Sequence, residues 1–282
     1  MKIGLVLEGG AMRGIYTAGI LDRFLEENIV VDEVIGVSAG ALFGVNYKSK
    51  QKGRAIRYNK KYLNDKNYMG LYSLIKTGNI MNKDFCFNEL VNKLDVFDYD
   101  TYRNDKTLFF ATVTNVNTGK SEYKNISDLS KKSDMEYLRA SGSMPFVSKI
   151  VKVDDNYYLD GALSDSIPIN KALKDCDKVI VVLTRPRGYR KKKKSRLYAK
   201  LFYSKYPKLV EAINSRYKVY NKTIDKINEL ESEERIFVFR PSKYVDIKRI
   251  EKDINKVEEM YNLGIKDFND NYNKLVEYIT TL

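Results

Sequence analysis

Histidine is absent from all 282 residues, and that absence removes more chemistry than any other feature of the chain. A Ser-His-Asp triad is impossible, as is any imidazole general base or histidine metal ligand. A serine nucleophile here would have to give its proton to Asp, Glu, Lys or Tyr. Cysteine is scarce as well. Cys86 and Cys176 lie far apart with no metal or redox spacing, so free thiols in a reducing compartment are expected. Long apolar runs are also missing. The longest uncharged stretch, residues 34–47, falls short of the ~18 residues that suggest a membrane span. The opening apolar run is broken by Glu8 and Arg13, so no secretory leader is expected and the chain reads as cytoplasmic.

Acidic residues are the minority charge. Lys and Arg number 50 against 37 Asp and Glu, giving a net charge of +13 and a pI near 9.3. That balance favours anionic partners, either a nucleic acid or an anionic lipid surface. At 32.7 kDa and 43% hydrophobic residues, the chain can bury one substantial core, or a core plus an extension.

One stretch organises the rest, EVIGVSAGAL at residues 33–42. A short apolar run leads into Gly36-Val37-Ser38-Ala39-Gly40, and a small-residue helix pattern follows. This is the strand, sharp turn and helix of a nucleophile elbow, with the Ser38 hydroxyl held at a strand tip. The helix start places unpaired N–H groups beside any oxyanion that forms there. An α/β-hydrolase is disfavoured, because its nucleophile follows several strands and its chain order ends in a histidine. Ser38 comes after only the second candidate strand.

The first candidate strand, residues 3–7, runs into Gly9-Gly10-Ala11-Met12-Arg13-Gly14 and an amphipathic helix. A glycine-rich loop between strand and helix can turn several N–H groups toward one anion. Its spacing is neither G-x-G-x-x-G nor a Walker A loop, so nucleotide binding is the weaker reading. Two strand–turn–helix units in the first fifty residues indicate a parallel sheet flanked by helices, with both loops facing one crevice. Residues 51–105 read as helical and polar, with a structural role only. The acidic stretch from Asp95 to Asp105 lacks calcium-loop spacing and reads as a solvated loop. A third buried strand is expected at 107–115, and a hairpin around Asp154-Asp155-Asn156 delivers Asp160-Gly161-Ala162 into a loop. Small residues at 141–143 before Pro145 suggest a closely pressed backbone or a helix end. Further strands are expected at 179–183 and 236–239. Asp246 reads as the cap of a helix ending near Gly264, with a final helix after it.

Taken together, these pieces resemble the patatin-like phospholipase family. Its pattern is a glycine-rich oxyanion loop ending in Arg or Lys plus Gly, a G-x-S-x-G elbow, and an Asp-Gly-Gly or Asp-Gly-Ala. Residues 9–14, 36–40 and 160–162 match these in order, and the run from Ala140 to Pro145 looks like the family's Ala-Ser-x-x-x-Pro segment. The resemblance implies a three-layer α/β/α core with a mostly parallel central sheet over residues 1–184. It implies a Ser38–Asp160 dyad, which agrees with the absence of histidine, and oxyanion-hole amides from Gly10, Ala11 and Arg13. It calls for no cofactor or metal, and for a lipid or acyl-ester substrate. The third glycine of the loop is Ala11 here, and a positive φ at that position would cost about 1 kcal/mol or more.

Residues 185–282 are different in character, a basic segment followed by a mainly helical extension expected to pack on the core. RPRGYRKKKKSR at 185–196 is the densest charge run. The stretch from Arg185 to Lys205 adds aromatic and aliphatic residues to it, which suits peripheral contact with an anionic membrane. It carries no recognised nucleic-acid motif. The preferred reading is a serine lipid acyl hydrolase of phospholipase A, lysophospholipase or esterase type. The alternative is a catalytically silent patatin-fold protein that docks on anionic membrane or nucleic acid through the basic segment.

Overall fold

The computed structural model describes residues 1–193 and 197–281. Eight strands form one mixed sheet: β1 (Ile3–Leu7), β2 (Glu33–Val37), β3 (Leu108–Asn115), β4 (Ser121–Asn125), β5 (Val151–Val153), β6 (Asn156–Asp160), β7 (Lys178–Val182) and β8 (Phe237–Phe239). β1 pairs in parallel with β2 and β7, β2 with β3, and β7 with β8. The antiparallel pairs are β3 with β4, β3 with β6, and β5 with β6. The expected mostly parallel sheet between helices is therefore the observed one. β1 and β2 are buried on both faces, which is why both read as continuous apolar runs.

The helices are α1 (Ile15–Glu26), α2 (Ala39–Lys48), α3 (Arg54–Tyr62), α4 (Leu71–Thr77), a π-helix (Phe85–Leu94), α5 (Tyr99–Asn104), α6 (Lys132–Ser141), α7 (Ile169–Asp175), α8 (Leu197–Phe202), α9 (Pro207–Ser232) and α10 (Ile254–Thr280). One sheet face packs on α1, α2 and α10, the other on α7 and α9. The chain beyond residue 184 shares this core. β8 extends the sheet beside β7, and Phe239 and Phe268 meet Phe24 of α1 with ring centroids 6.1 and 5.6 Å away. Both cysteines are free thiols.

Register explains how the site assembles. Along β3, residues 110–112 pair with both β2 and β4, and residues 113–114 with both β4 and β6. A strand has two edges, so β2 and β6 share one. Val37 pairs with Thr112, and Asp160 pairs with the next residue, Val113. β2 runs parallel to β3 and β6 antiparallel, so the two strands meet head-on at their C-terminal ends.

The structure corrects the expected C-terminal helices. Residues 247–253 are not helical, and α10 is a single helix whose cap is Asp253, accepting from the Asn255 amide at 2.9 Å. Asp246 pairs instead with Lys256. Gly264 is interior to α10. A Cβ there would lie 2.3 Å from the Tyr16 carbonyl oxygen, and one on Gly19 would lie 2.3 Å from that of Tyr261. The glycine marks a close crossing of α1 and α10, not a helix end.

Candidate active site

Ser38 ends β2 and starts α2 with φ 54° and ψ −122°, a conformation that costs a non-glycine residue about 1–3 kcal/mol. The surroundings hold it there. Its amide donates to Ser141 Oγ at 2.9 Å, and its Oγ donates to Asp160 Oδ2 at 2.7 Å. Asp160 is fixed on every side. Oδ1 accepts from the Ala162 amide at 2.8 Å, its own amide donates to the Ser143 carbonyl at 2.9 Å, and its carbonyl accepts from Thr114 Oγ1 at 2.9 Å. The two residues are 7% and 3% exposed. Burial raises the Asp160 pKa above the usual carboxylate value. Arg216, the Ala162 amide, Ser38 and Lys191 pull it back. A carboxylate raised in this way is a stronger base than a solvated one.

The glycine-rich loop closes over the elbow. A Cβ on Gly9 would sit 2.9 Å from Ser38 Cβ, so only glycine allows this approach. Residues Ala11–Gly14 form a 3₁₀ turn in which the Arg13 amide donates to the Gly10 carbonyl at 3.2 Å, and the Met12 amide reaches the Arg249 carbonyl at 3.4 Å. Among the described residues, the amides of Gly10 and Ala11 have no such partner. Of the three amides singled out from the sequence, two are thus free to donate and that of Arg13 is engaged. Ala11 does take a positive φ, of 50°. Burial, with Arg185 and Arg249 nearby, lowers the Arg13 guanidinium to about 10.

Ser38 opens onto a cleft of about 940 Å³, part of it open to solvent. Met12, Leu42 and Phe43 line it on the core side. Tyr58, Tyr68, Phe87 and Leu90 close it from α3 to the π-helix. Residues 51–105, read from sequence as structural only, therefore supply an apolar wall beside the serine. Two further roles were missed. Ser141 braces the elbow, for which the small-residue run at 141–143 was the available signal. Arg216 of α9 reaches Asp160 electrostatically, and nothing in its sequence surroundings marks it.

Asp95 is spent on ion pairs with Arg54 and Arg57, and Asp98 caps α5. Among the described residues, no group of three or more Cys, Asp or Glu side chains is placed to hold a metal. None of the helices there is long and apolar enough to cross a membrane. In the basic run, Arg187 pairs with Glu231 and Arg190 with Asp225, while Lys191 Nζ lies 3.7 Å from the Tyr220 ring centroid. Lys194, Ser195 and Arg196 lie outside the described residues.

The family model for patatin-like phospholipase matches residues 5–173, and that for a domain of unknown function, DUF6363, matches residues 206–280. Uncharacterized protein YjjU of Escherichia coli (strain K12) is 28% identical over 189 residues, which is 64% of this chain and 51% of that protein. Probable lipid hydrolase 463L of Invertebrate iridescent virus 6 is 27% identical over 188 residues, 60% of this chain and 63% of the relative. The chain thus spans between about half and two thirds of the length of these relatives. The crystal structure of VipD from Legionella pneumophila is similar over 94% of this chain and 67% of its own, at 13% identity and a TM-score of 0.42.

Proposed function

We propose that this chain, which belongs to the patatin-like phospholipase family, is a serine lipid acyl hydrolase working through Ser38 and Asp160. The observation that carries the reading is the Ser38 hydroxyl donating at 2.7 Å to a buried carboxylate, at the mouth of an apolar cleft. Ser38 Oγ attacks the acyl carbonyl as its proton passes to Asp160 Oδ2. In this reading the free amides of Gly10 and Ala11 receive the oxyanion. Collapse breaks the ester bond, and the proton returns from Asp160 to the departing alkoxide. Water, deprotonated by Asp160, then attacks the acyl-serine, and the proton goes back to Ser38. The acyl chain lies along the wall from α3 to the π-helix.

The silent-protein reading draws on one observation, the strained Ala11 in the loop. A fluorophosphonate probe with peptide mapping separates the two. Labelling at Ser38, with loss of butyrate-ester hydrolysis in Ser38→Ala, is the expected result. Labelling of another serine, or none alongside unchanged hydrolysis in that variant, overturns the proposal.

The same reading includes contact with a lipid surface. Leu71 and Ile75 of α4, Phe146, and Leu201 and Phe202 of α8 are exposed. They are linked in space, because the Ile80 amide donates to the Val147 carbonyl and Phe146 packs on Phe202 at 5.6 Å between centroids. Met144, from the same loop as Phe146, lines the cleft, and the exposed Lys200 lies in α8 beside Leu201 and Phe202. Apolar side chains beside cations suit an anionic bilayer. Co-sedimentation with phosphatidylglycerol vesicles should fall in Leu201→Ser/Phe202→Ser, and equal sedimentation of variant and parent rejects the contact.

A further inference from the structure

Arg216 and Lys191, which act on Asp160, belong to a group of cations that have no ion-pair partner among the described residues. Arg13, Arg185, Arg216 and Arg249 make no ion pair among the described residues, whereas every other described arginine does. These four are not scattered. Arg249 and Arg185 act on Arg13, and Arg249 acts on Arg216. Arg216, Arg249 and Arg13 all act on Lys191, which burial and these neighbours push down to about 7.

The carboxylates that act on Arg13, Arg216 and Lys191 are Glu8 and Asp160, and both are occupied. Glu8 Oε2 accepts from the Thr184 amide and hydroxyl at 2.6 and 3.0 Å, and Oε1 accepts from the Tyr220 hydroxyl at 2.9 Å. Asp160 is held by Ser38 and Ala162. Among the described residues, two guanidinium donors of this group, Arg13 Nε and Arg216 Nε, are buried with no acceptor. Buried donors without partners are uncommon and unfavourable, and five cations against two occupied carboxylates leave room for an anion.

We propose that Lys191, Arg216 and Arg249, with Arg13, form a subsite for a phosphate group on the leaving-group side of the scissile ester. The side follows from Asp160. It returns the proton to the departing oxygen, so the alcohol portion lies by Asp160, where Arg216 and Lys191 also act. Arg249 lines the cleft with Ser38, and its carbonyl meets the loop at Met12. The acyl portion has the wall, whose cation, Arg54, is already paired with Asp95, so it offers a phosphate little. Three charged residues of the subsite, Lys191, Arg216 and Arg249, come from the chain beyond the family match at residues 5–173. The extension would thereby select phosphorylated over neutral acyl esters. This inference rests on the hydrolase reading for its role, though not for its test.

The test uses the full chain and two monomeric esters that differ by one group, octanoylglycerol phosphate and octanoylglycerol. The parent should show a kcat/KM about tenfold or more higher for the phosphorylated ester, a gain of the size charge-assisted hydrogen bonds give. Arg216→Gln and Lys191→Gln should each remove most of that preference, mainly through KM. Arg216→Lys should restore part, and Lys222→Gln, on the exposed side of α9, should leave the ratio as it was. Inorganic phosphate distinguishes the source: competition at millimolar levels in the parent means that the site takes the free ion as well as the ester. Hydrolysis of both esters with a ratio near one overturns the subsite and leaves the hydrolase standing. If neither ester is cleaved, calorimetric titration of Ser38→Ala protein still decides. Tighter binding of the phosphorylated ester, lost in Ser38→Ala/Arg216→Gln, supports the subsite, and equal binding of the two esters overturns it.

Discussion

The two sides of the cleft are built on opposite principles. On one side, Ser38 and Asp160 stand at strand ends and are gripped by directional bonds from Ser141, Ser143, Thr114 and Ala162. On the other, the helical wall presents Tyr58, Phe87, Leu90 and their neighbours mainly through packing, with the Tyr68 hydroxyl donating to Asn59 as a polar tie within it. Directional bonds fix a reacting atom to a fraction of an ångström, whereas dispersion contacts fix a volume. Substitutions on the first side should therefore act on kcat, and those on the second on which acyl chain is accepted.

The largest effect expected on the bonded side is at Asp160. Asp160→Asn and Ser38→Ala should each nearly abolish ester hydrolysis, and the double variant should be little worse than either, because the pair acts as a unit. Asp154→Asn, in the hairpin turn, should do far less. Stability should move the other way. Burial raises the folded-state pKa of Asp160, so the charged form is disfavoured in the folded protein above that pKa. Asp160→Asn should then raise the Tm at neutral pH, and the gain should fade as the pH falls through the raised pKa and Asp160 takes up its proton. A lower Tm for Asp160→Asn at pH 7 would show that the bonds to Ser38 and Ala162 outweigh the burial cost.

Next in size is Ser141→Ala, which removes the acceptor for the Ser38 amide. A buried amide left without a partner costs about 1–3 kcal/mol, and the strained elbow loses its brace. We expect kcat to fall about tenfold with KM nearly unchanged. An unchanged kcat would mean that packing alone holds the elbow. On the packed side, Val91 of the π-helix also lines the cleft, and Val91→Phe intrudes on it. The ratio of long-chain to butyrate ester hydrolysis should fall about tenfold, as for a pocket losing one or two methylene positions. A change equal for both esters would place the chain elsewhere.

The same contrast decided what could be read in the sequence. Ser38 was legible because an elbow is local: the glycines, the apolar run and the small-residue helix are contiguous. Asp160 could be singled out only through three motifs in order. That it meets Ser38 depends on β2 and β6 sharing one edge of β3, a register that no stretch of sequence reveals. The wall was illegible because its residues, Tyr58 and Asn59 of α3 and Phe87, Leu90 and Val91 of the π-helix, recur at helical spacing, which reads as an ordinary packed face until the cleft beside it is seen. Gly264 was misread because a glycine that ends a helix and one that lets two helices cross look alike until the partner helix is known. Arg216 sits mid-helix in α9 without a motif, and its importance appears only when Asp160 is found nearby.

The smallest expected effect is the most discriminating for the silent reading. Ala11 sits at φ 50°, where an L-residue costs about 1–2 kcal/mol relative to its right-handed conformation. Ala11→Gly relieves that strain but frees the unfolded chain, a loss of about 0.4–1 kcal/mol, so the two changes largely cancel in stability. The effect on rate depends on where the Ala11 amide already points. Ala11 holds a left-handed conformation of the kind a glycine takes, and its amide makes no hydrogen bond among the described residues, so we expect the donor to keep its aim. The glycine variant should then hydrolyse esters within about threefold of the parent, well under the cost of one missing oxyanion donor, roughly 2.7–4 kcal/mol. A protein silenced by Ala11 behaves differently, with a parent near background and a gain of about a hundredfold or more on Ala11→Gly. Steady-state kinetics of the two proteins on one butyrate ester separate these outcomes, since a missing donor and a merely strained one differ by orders of magnitude.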